Sequence, residues 1–204
     1  MDTITDPRPE FATALATAGH LVAAVRPDQL DLPTPCDEYD VRALLGHLLN
    51  VLDRITAIGR GADPFALALR EVADGFVAEW KAAAADLEVV WADDAALAIP
   101  SPLPWAPGTG ADVLISYVSE LTVHSWDLAT ATGQAVAWDD EVVALAASRM
   151  EFLPPTDRAA IFAPIKANLP PHLAALPDPF RDAVPVAADA PLIDRLVAWN
   201  GRQP

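Results

Sequence analysis

A single cysteine, a deficit of positive charge and the lack of any long apolar run set the outer limits on this chain. Cys36 stands alone, which rules out an internal disulfide framework and fits a reducing cytoplasm. Lysine and arginine number 13 against 29 aspartates and glutamates, a formal net charge of −16. A surface of that sign repels phosphate backbones and anionic lipid headgroups, so neither nucleic acid nor a membrane surface is an expected partner. Hydrophobic residues make up 52% of the chain. Even so, no stretch of about 18 consecutive apolar residues occurs that could span a bilayer. The first residues, Met1 to Pro7, lack a basic segment leading into an apolar one, and no secretory signal is expected. Also missing are the glycine-rich dinucleotide fingerprint, the phosphate-binding loop, the serine elbow of hydrolases and the His-Glu-x-x-His zinc motif.

What is present is helical periodicity punctuated by 20 prolines. Phe11, Leu15, Ala18, Val22 and Val25 repeat at helical spacing within Pro9 to Val25, where His20 reads as a surface residue. Asp40 is suited to cap a second helix over Val41 to Gly59, with Leu44, Leu48, Val51 and Ile55 as its buried stripe. A third helix is expected from Phe65 to Leu87, with Leu69, Val72, Phe76 and Trp80 inward. The proline-rich stretch Asp94 to Gly110 reads as a loop with room for a brief strand at Ala96 to Ile99. A long fourth helix spans Ala111 to Thr130, between Thr109 as cap and Gly133 as left-handed terminator. A fifth runs from Asp140 to Phe152, and a short last one from Pro191 to Asn200. Ile161 to Ala188 contains Pro164, Pro170, Pro171, Pro177, Pro179 and Pro185 and reads as an irregular covering segment. The expected organisation is one domain, with residues 1–154 as the bundle and 155–204 packed over it.

One stretch carries chemistry. Glu120 and His124 are four residues apart and share a helical face whose neighbours Val113, Tyr117, Leu121 and Leu128 are apolar. A carboxylate and an imidazole on such a face are costly unless something satisfies them, and a divalent metal would do so. His47, bordering the stripe of the second helix, is the candidate third ligand. Two histidines and one carboxylate on facing helices leave coordination positions open, as catalytic sites do. Zinc, nickel and ferrous iron all accept that donor set. Asp127, three residues beyond His124, is placed either to accept a hydrogen bond from a ligand imidazole or to face solvent. Asn50, three beyond His47, either lines the cavity or is a surface amide. Cys36, between Pro35 and Asp37, reads as a small packing residue, and Trp126 as core.

Three groups of residues carry a family resemblance. They are Thr34-Pro35-Cys36 with Val41-Arg42 and Leu45 to Leu48; Glu120 to Ala129 with Gly133; and Asp194 to Leu196 with Gly201 to Pro204. On these the chain resembles the DinB-like metal-binding bundles, in the actinobacterial branch similar to the N-terminal domain of mycothiol-dependent maleylpyruvate isomerase. It differs in carrying Tyr39 where relatives usually have tryptophan, and in a stretch after Pro154 shorter than the isomerase's second domain. The resemblance implies an all-α, up-down four-helix bundle and a divalent metal, zinc foremost, held by His47, Glu120 and His124. It implies a low-molecular-weight thiol such as mycothiol as co-substrate, and hence a transferase or isomerase acting on a small electrophile. A metal-binding protein without turnover and a metal-dependent hydrolase are the competing expectations. Related bundles are often dimers, so a homodimer is expected as well.

Overall fold

The computed structural model describes residues 6–37, 39–72, 75–152, 154–169, 171–175 and 181–204. Among them the only strand-like pairings are two isolated bridges, Pro33 with Asp40 and Pro100 with Thr109. All else is helix and connection: α1 (Arg8–Ala24), α2 (Val41–Gly59), α3 (Phe76–Trp91), α4 (Asp94–Ala98), α5 (Gly110–Thr132), α6 (Asp140–Ala147), α7 (Arg158–Lys166), α8 (Pro171–Ala174) and α9 (Leu192–Trp199). No helix among the described residues is long and apolar enough to cross a membrane.

The two helices that matter most for function begin and end on local chemistry. Asp40 accepts a hydrogen bond from the Ala43 N–H at 2.8 Å and so satisfies one of the unpaired donors that open α2. Leu44, Leu48, Val51 and Ile55 then repeat along α2 and are wholly buried. Each contributes on the order of 1.5–3 kcal/mol of burial free energy. At the start of α5 the Asp112 carboxylate accepts from the Thr109 N–H at 2.8 Å. Gly133, at φ 69°, takes the left-handed conformation that ends α5 at little cost.

The four long helices pack in a ring in which α1 and α2 each touch both α3 and α5. Gly19 lies against Trp80 while Arg8 reaches the Trp91 carbonyl, so α1 and α3 are antiparallel. Gly59 abuts Val90 and Trp91, which places the ends of α2 and α3 together. His47 meets Glu120 and His124 while Arg54, farther along α2, meets Tyr117, farther back along α5, which makes the two helices antiparallel. The connections between α2 and α3, and between α3 and α5, are long enough to allow α2 and α3 to run the same way. Trp91 fixes one end by donating its indole N–H to the Ile55 carbonyl at 3.2 Å.

Four expectations are corrected. The third helix starts at Phe76, not Phe65, and continues to Trp91. Gly75 sits at φ 101°, a conformation incompatible with a helix interior, and residues 65–72 form no helix. Leu69, expected inward, is therefore exposed. Residues 96–99 form no strand, because Asp93 caps the short helix α4 by accepting from the Ala95 N–H. The fifth helix is α-helical only to Ala147 and tightens to a 3₁₀ turn over Ser148–Phe152 before Pro154. The proline-rich segment is partly ordered: α7 tolerates Pro164, and α8 starts on Pro171. Pro170, Pro177 and Pro179 lie outside the described residues.

Candidate metal centre

His47 reaches across from α2 to α5, its Nε2 lying 3.0 Å from Glu120 Oε1. His124 Nε2 lies 3.6 Å from the same oxygen, and the two imidazole rings meet edge to face with centroids 4.6 Å apart. One ligand atom from each of the three residues falls within 4.8 Å of the others. Tetrahedral zinc with bonds of 2.0–2.1 Å needs donor atoms roughly 3.3 Å apart, so these separations suit a common ion. The sequence spacing of Glu120 and His124 is thus joined in space by His47, which lies 73 residues away from Glu120.

Behind the donors lies a buried polar chain. Asp127, expected to face either His124 or solvent, is wholly buried, and its Oδ2 lies 2.9 Å from His124 Nδ1. A carboxylate can only accept there, so Nδ1 carries the hydrogen and Nε2 is left facing the cavity. Arg202 donates to both Asp127 oxygens, from Nε at 3.1 Å and Nη2 at 2.8 Å, and its Nη1 donates to the Asn200 carbonyl at 2.7 Å. On the other histidine, the Tyr39 hydroxyl stands 3.4 Å from His47 Nδ1.

The electrostatics follow from this arrangement. Burial pushes the His124 pKa down, but the bonds to Asp127 and Glu120 outweigh it and raise the value to about 9. His47 goes the other way: burial lowers its pKa more than Glu120 raises it. Burial favours the neutral form of Glu120, yet hydrogen bonds from His124 and His47 hold its carboxyl well below the usual range. Asp127 is likewise held low against burial by His124 and Arg202.

A second group, Cys36 with His124 and Asp127, is equally compact. There, however, Asp127 is already committed to Arg202 and to His124, whereas Glu120 pairs, among the described residues, with the two imidazoles. Of the two groups, His47, Glu120 and His124 is the one whose carboxylate is not already held by an arginine.

The donors form the floor of a cavity of about 570 Å³. Asn50 borders this cavity and accepts a hydrogen bond from the Arg70 N–H at 2.8 Å, which ties the segment before α3 to α2. Gly46 makes that approach possible, since a Cβ there would lie 3.0 Å from the Arg70 carbonyl oxygen. Cys36 is half-buried at the cavity edge, Trp126 is half-buried and His20 is exposed. Three contributors were not singled out from sequence as site residues: Tyr39, Arg202 and the cavity-lining Arg54. Arg54 follows His47 by two helical turns, and Arg202 lies in the terminal Gly201 to Pro204 group, so a signal existed for both.

Fold and site together define an all-helical bundle with a two-histidine, one-carboxylate cluster at the base of an open cavity. The chain matches the family model for the mycothiol maleylpyruvate isomerase N-terminal domain over residues 11–129, more than half its length, and it belongs to that family. It is also similar to two proteins of Mycobacterium tuberculosis, "Uncharacterized protein MT0763" of strain CDC 1551 / Oshkosh and "Uncharacterized protein Rv0738" of strain H37Rv. Each is 32% identical over 183 residues, which cover 89% of this chain and 90% of the relative. No solved structure matches the chain.

Proposed function

We propose that this protein is a divalent-metal-dependent enzyme that uses a low-molecular-weight thiol of the mycothiol type to transform a small electrophile, by transfer or isomerisation. The observation that carries the reading is the convergence of His47 Nε2, His124 Nε2 and Glu120 Oε1 beneath an accessible cavity. A divalent ion, zinc first and nickel or iron as alternatives, would supply a Lewis acid able to lower a thiol's pKa at neutral pH.

The chain's own groups have separate tasks. His47 and His124 are the neutral donors, and Glu120 brings the negative charge. Asp127 holds the hydrogen on His124 Nδ1 and so fixes the tautomer and the ring plane. Arg202 in turn fixes Asp127. Three protein donors leave room for an outside ligand, which separates this set from a closed structural site. Phe65, Trp105 and Phe162 line the cavity and limit water around a reacting centre.

The test is elemental analysis of purified protein, beside His47→Ala and His124→Ala variants, followed by titration with mycothiol and a model electrophile. About one ion per chain in the parent, little in either variant, and thiol-dependent turnover are expected. Full occupancy in both variants would sink the ligand assignment. Turnover that ignores the thiol would point instead to metal-dependent hydrolysis.

A further inference from the structure

Arg54 stands out among the charged residues of the cavity wall. It follows His47 by seven residues and Asn50 by four, so the three share one face of α2, and all three border the cavity. Seven residues at 1.5 Å each set Arg54 about 10 Å along the helix from His47. The other arginines on this wall are engaged. Arg70 holds Asp53 and Glu79, and Arg42 holds Asp31. Arg54 has no ion pair among the described residues, and its Nε is buried without a hydrogen-bond partner.

A second orphan lies next to it. The antiparallel packing of α2 on α5 brings Arg54 beside Tyr117, whose buried hydroxyl interacts with the guanidinium but has no close hydrogen bond. Burial lifts the Tyr117 pKa to about 12, so the hydroxyl keeps its proton and remains a donor. A guanidinium with a buried, unpartnered Nε and no carboxylate or carbonyl on it is rare in folded chains and calls for an acidic ligand. The carboxylates on the wall do not answer that call. Asp40 caps α2, Glu120 faces the imidazoles, and Glu71 is exposed. The wall also carries the apolar Phe65, Val72, Trp105, Phe162 and Ile165, and its one lysine, Lys166, has a partner of its own.

We propose that the cavity binds a small organic monocarboxylate with an apolar body, its carboxylate held by Arg54 beside Tyr117 and its body against Phe65, Trp105 and Phe162. The planar guanidinium fork matches a carboxylate, and the single unpaired cation sets the charge at one. With the head at Arg54, the body of such a molecule extends along the groove toward His47 and Glu120. The inference deepens the function proposed above and rests on it for the electrophile's reactivity. Recognition of the carboxylate itself needs no metal.

The experiment is calorimetry on chelator-treated protein with 3-phenylpropionate, its neutral amide 3-phenylpropanamide, and inorganic phosphate. In the parent protein the acid should bind at least about 10-fold more tightly than the amide. Arg54→Gln should weaken acid binding about 10- to 100-fold, as expected for loss of a charged hydrogen bond, while amide binding stays within about two-fold. Arg54→Lys should retain part of the acid affinity. Equal binding of acid and amide, no measurable binding of the acid, an unchanged acid affinity in Arg54→Gln, or tighter binding of phosphate would each overturn the proposal. The acid-to-amide comparison needs no variant, so misfolding of Arg54→Gln cannot rescue it. Zinc titration of the same samples keeps the two readings apart. Acid binding with no zinc uptake sinks only the metal assignment, and zinc uptake with no acid binding sinks only this one.

Discussion

Replacing Arg202 by methionine isolates the support behind His124. Methionine keeps much of the side-chain volume and removes the charge. In the native chain Asp127 is 0% exposed and Arg202 5%. Two contacts, at 2.8 and 3.1 Å, join them. An exposed pair would be worth under about 1 kcal/mol, because water replaces the lost partner. Here water cannot, and removing one member of a buried pair costs about 3–5 kcal/mol. His124 still donates to Asp127 Oδ2 in the variant and offsets part of the loss. The expected destabilisation is therefore at the lower end, about 3 kcal/mol, equivalent to roughly 6–12 °C in Tm for a chain of this size. Urea unfolding of metal-free protein, followed by helical circular dichroism, measures it as a shift in midpoint at constant slope. Adding Asp127→Asn removes the stranded charge, so the double variant should lose less than the sum of the single ones. A loss below about 1 kcal/mol in Arg202→Met, or strict additivity in the double variant, would refute the reasoning.

Three further outcomes follow from the same geometry. In metal-free protein the His124 pKa is raised to about 9, so the stability it contributes is complete below its ordinary value near 6.5 and is lost as pH rises through 9. The loss is on the order of 3 kcal/mol, read from urea midpoints between pH 6 and 10, and a flat or rising profile contradicts it. Gly46→Val should drive the 65–72 segment off α2, because even its Cβ would sit 3.0 Å from the Arg70 carbonyl oxygen. The expected cost is about 1–3 kcal/mol, with faster hydrogen exchange at the Arg70 amide now bonded to Asn50. Chelation of metal-loaded protein should remove about 2.7 kcal/mol of stability at a metal concentration 100 times its dissociation constant. Helical circular dichroism should persist at room temperature, and outright unfolding on chelation would mark the site as structural.

The parts of the fold that could be read in the sequence are those in which several local signals agree. Asp40, the stripe Leu44 to Ile55 and the closing glycine define α2, while Thr109, Asp112 and Gly133 frame α5. The third helix was misplaced because Leu69, Val72, Phe76 and Trp80 keep helical spacing across Gly75. That periodicity continues through a backbone break, and only the φ of 101° at Gly75 reveals it. Helix α7 was hidden by Pro164 and by a thin buried face, in which only Arg158 and Phe162 are buried. At the site, the Glu120–His124 pair is local and could be read from spacing alone. The Asp127–Arg202 pair spans 75 residues and has no periodic signal, so only folding brings it together. Arg54 lay in plain register with His47, but an isolated arginine on a helix reads as surface until its neighbours are known.

The groove draws its function from register. Moving seven residues along α2, from His47 to Arg54, corresponds to moving seven back along α5, from His124 to Tyr117. One pair of antiparallel helices therefore sets the His47, Glu120 and His124 cluster at one end and Arg54 beside Tyr117 at the other. This floor is part of the main core: Leu44, Leu48, Val113, Leu121 and Leu128 are wholly buried beneath it. The roof is made differently. The 65–72 segment is held by Asn50 and by the partly exposed ion pairs of Arg70, and Trp105 and α7 complete it. The partly exposed contacts of the 65–72 segment are worth far less than the core, which places that segment toward the low-stability end of the molecule. The donor geometry is fixed from behind by Asp127 and Arg202. A substitution in the 65–72 segment should therefore leave the aim of the two histidines undisturbed.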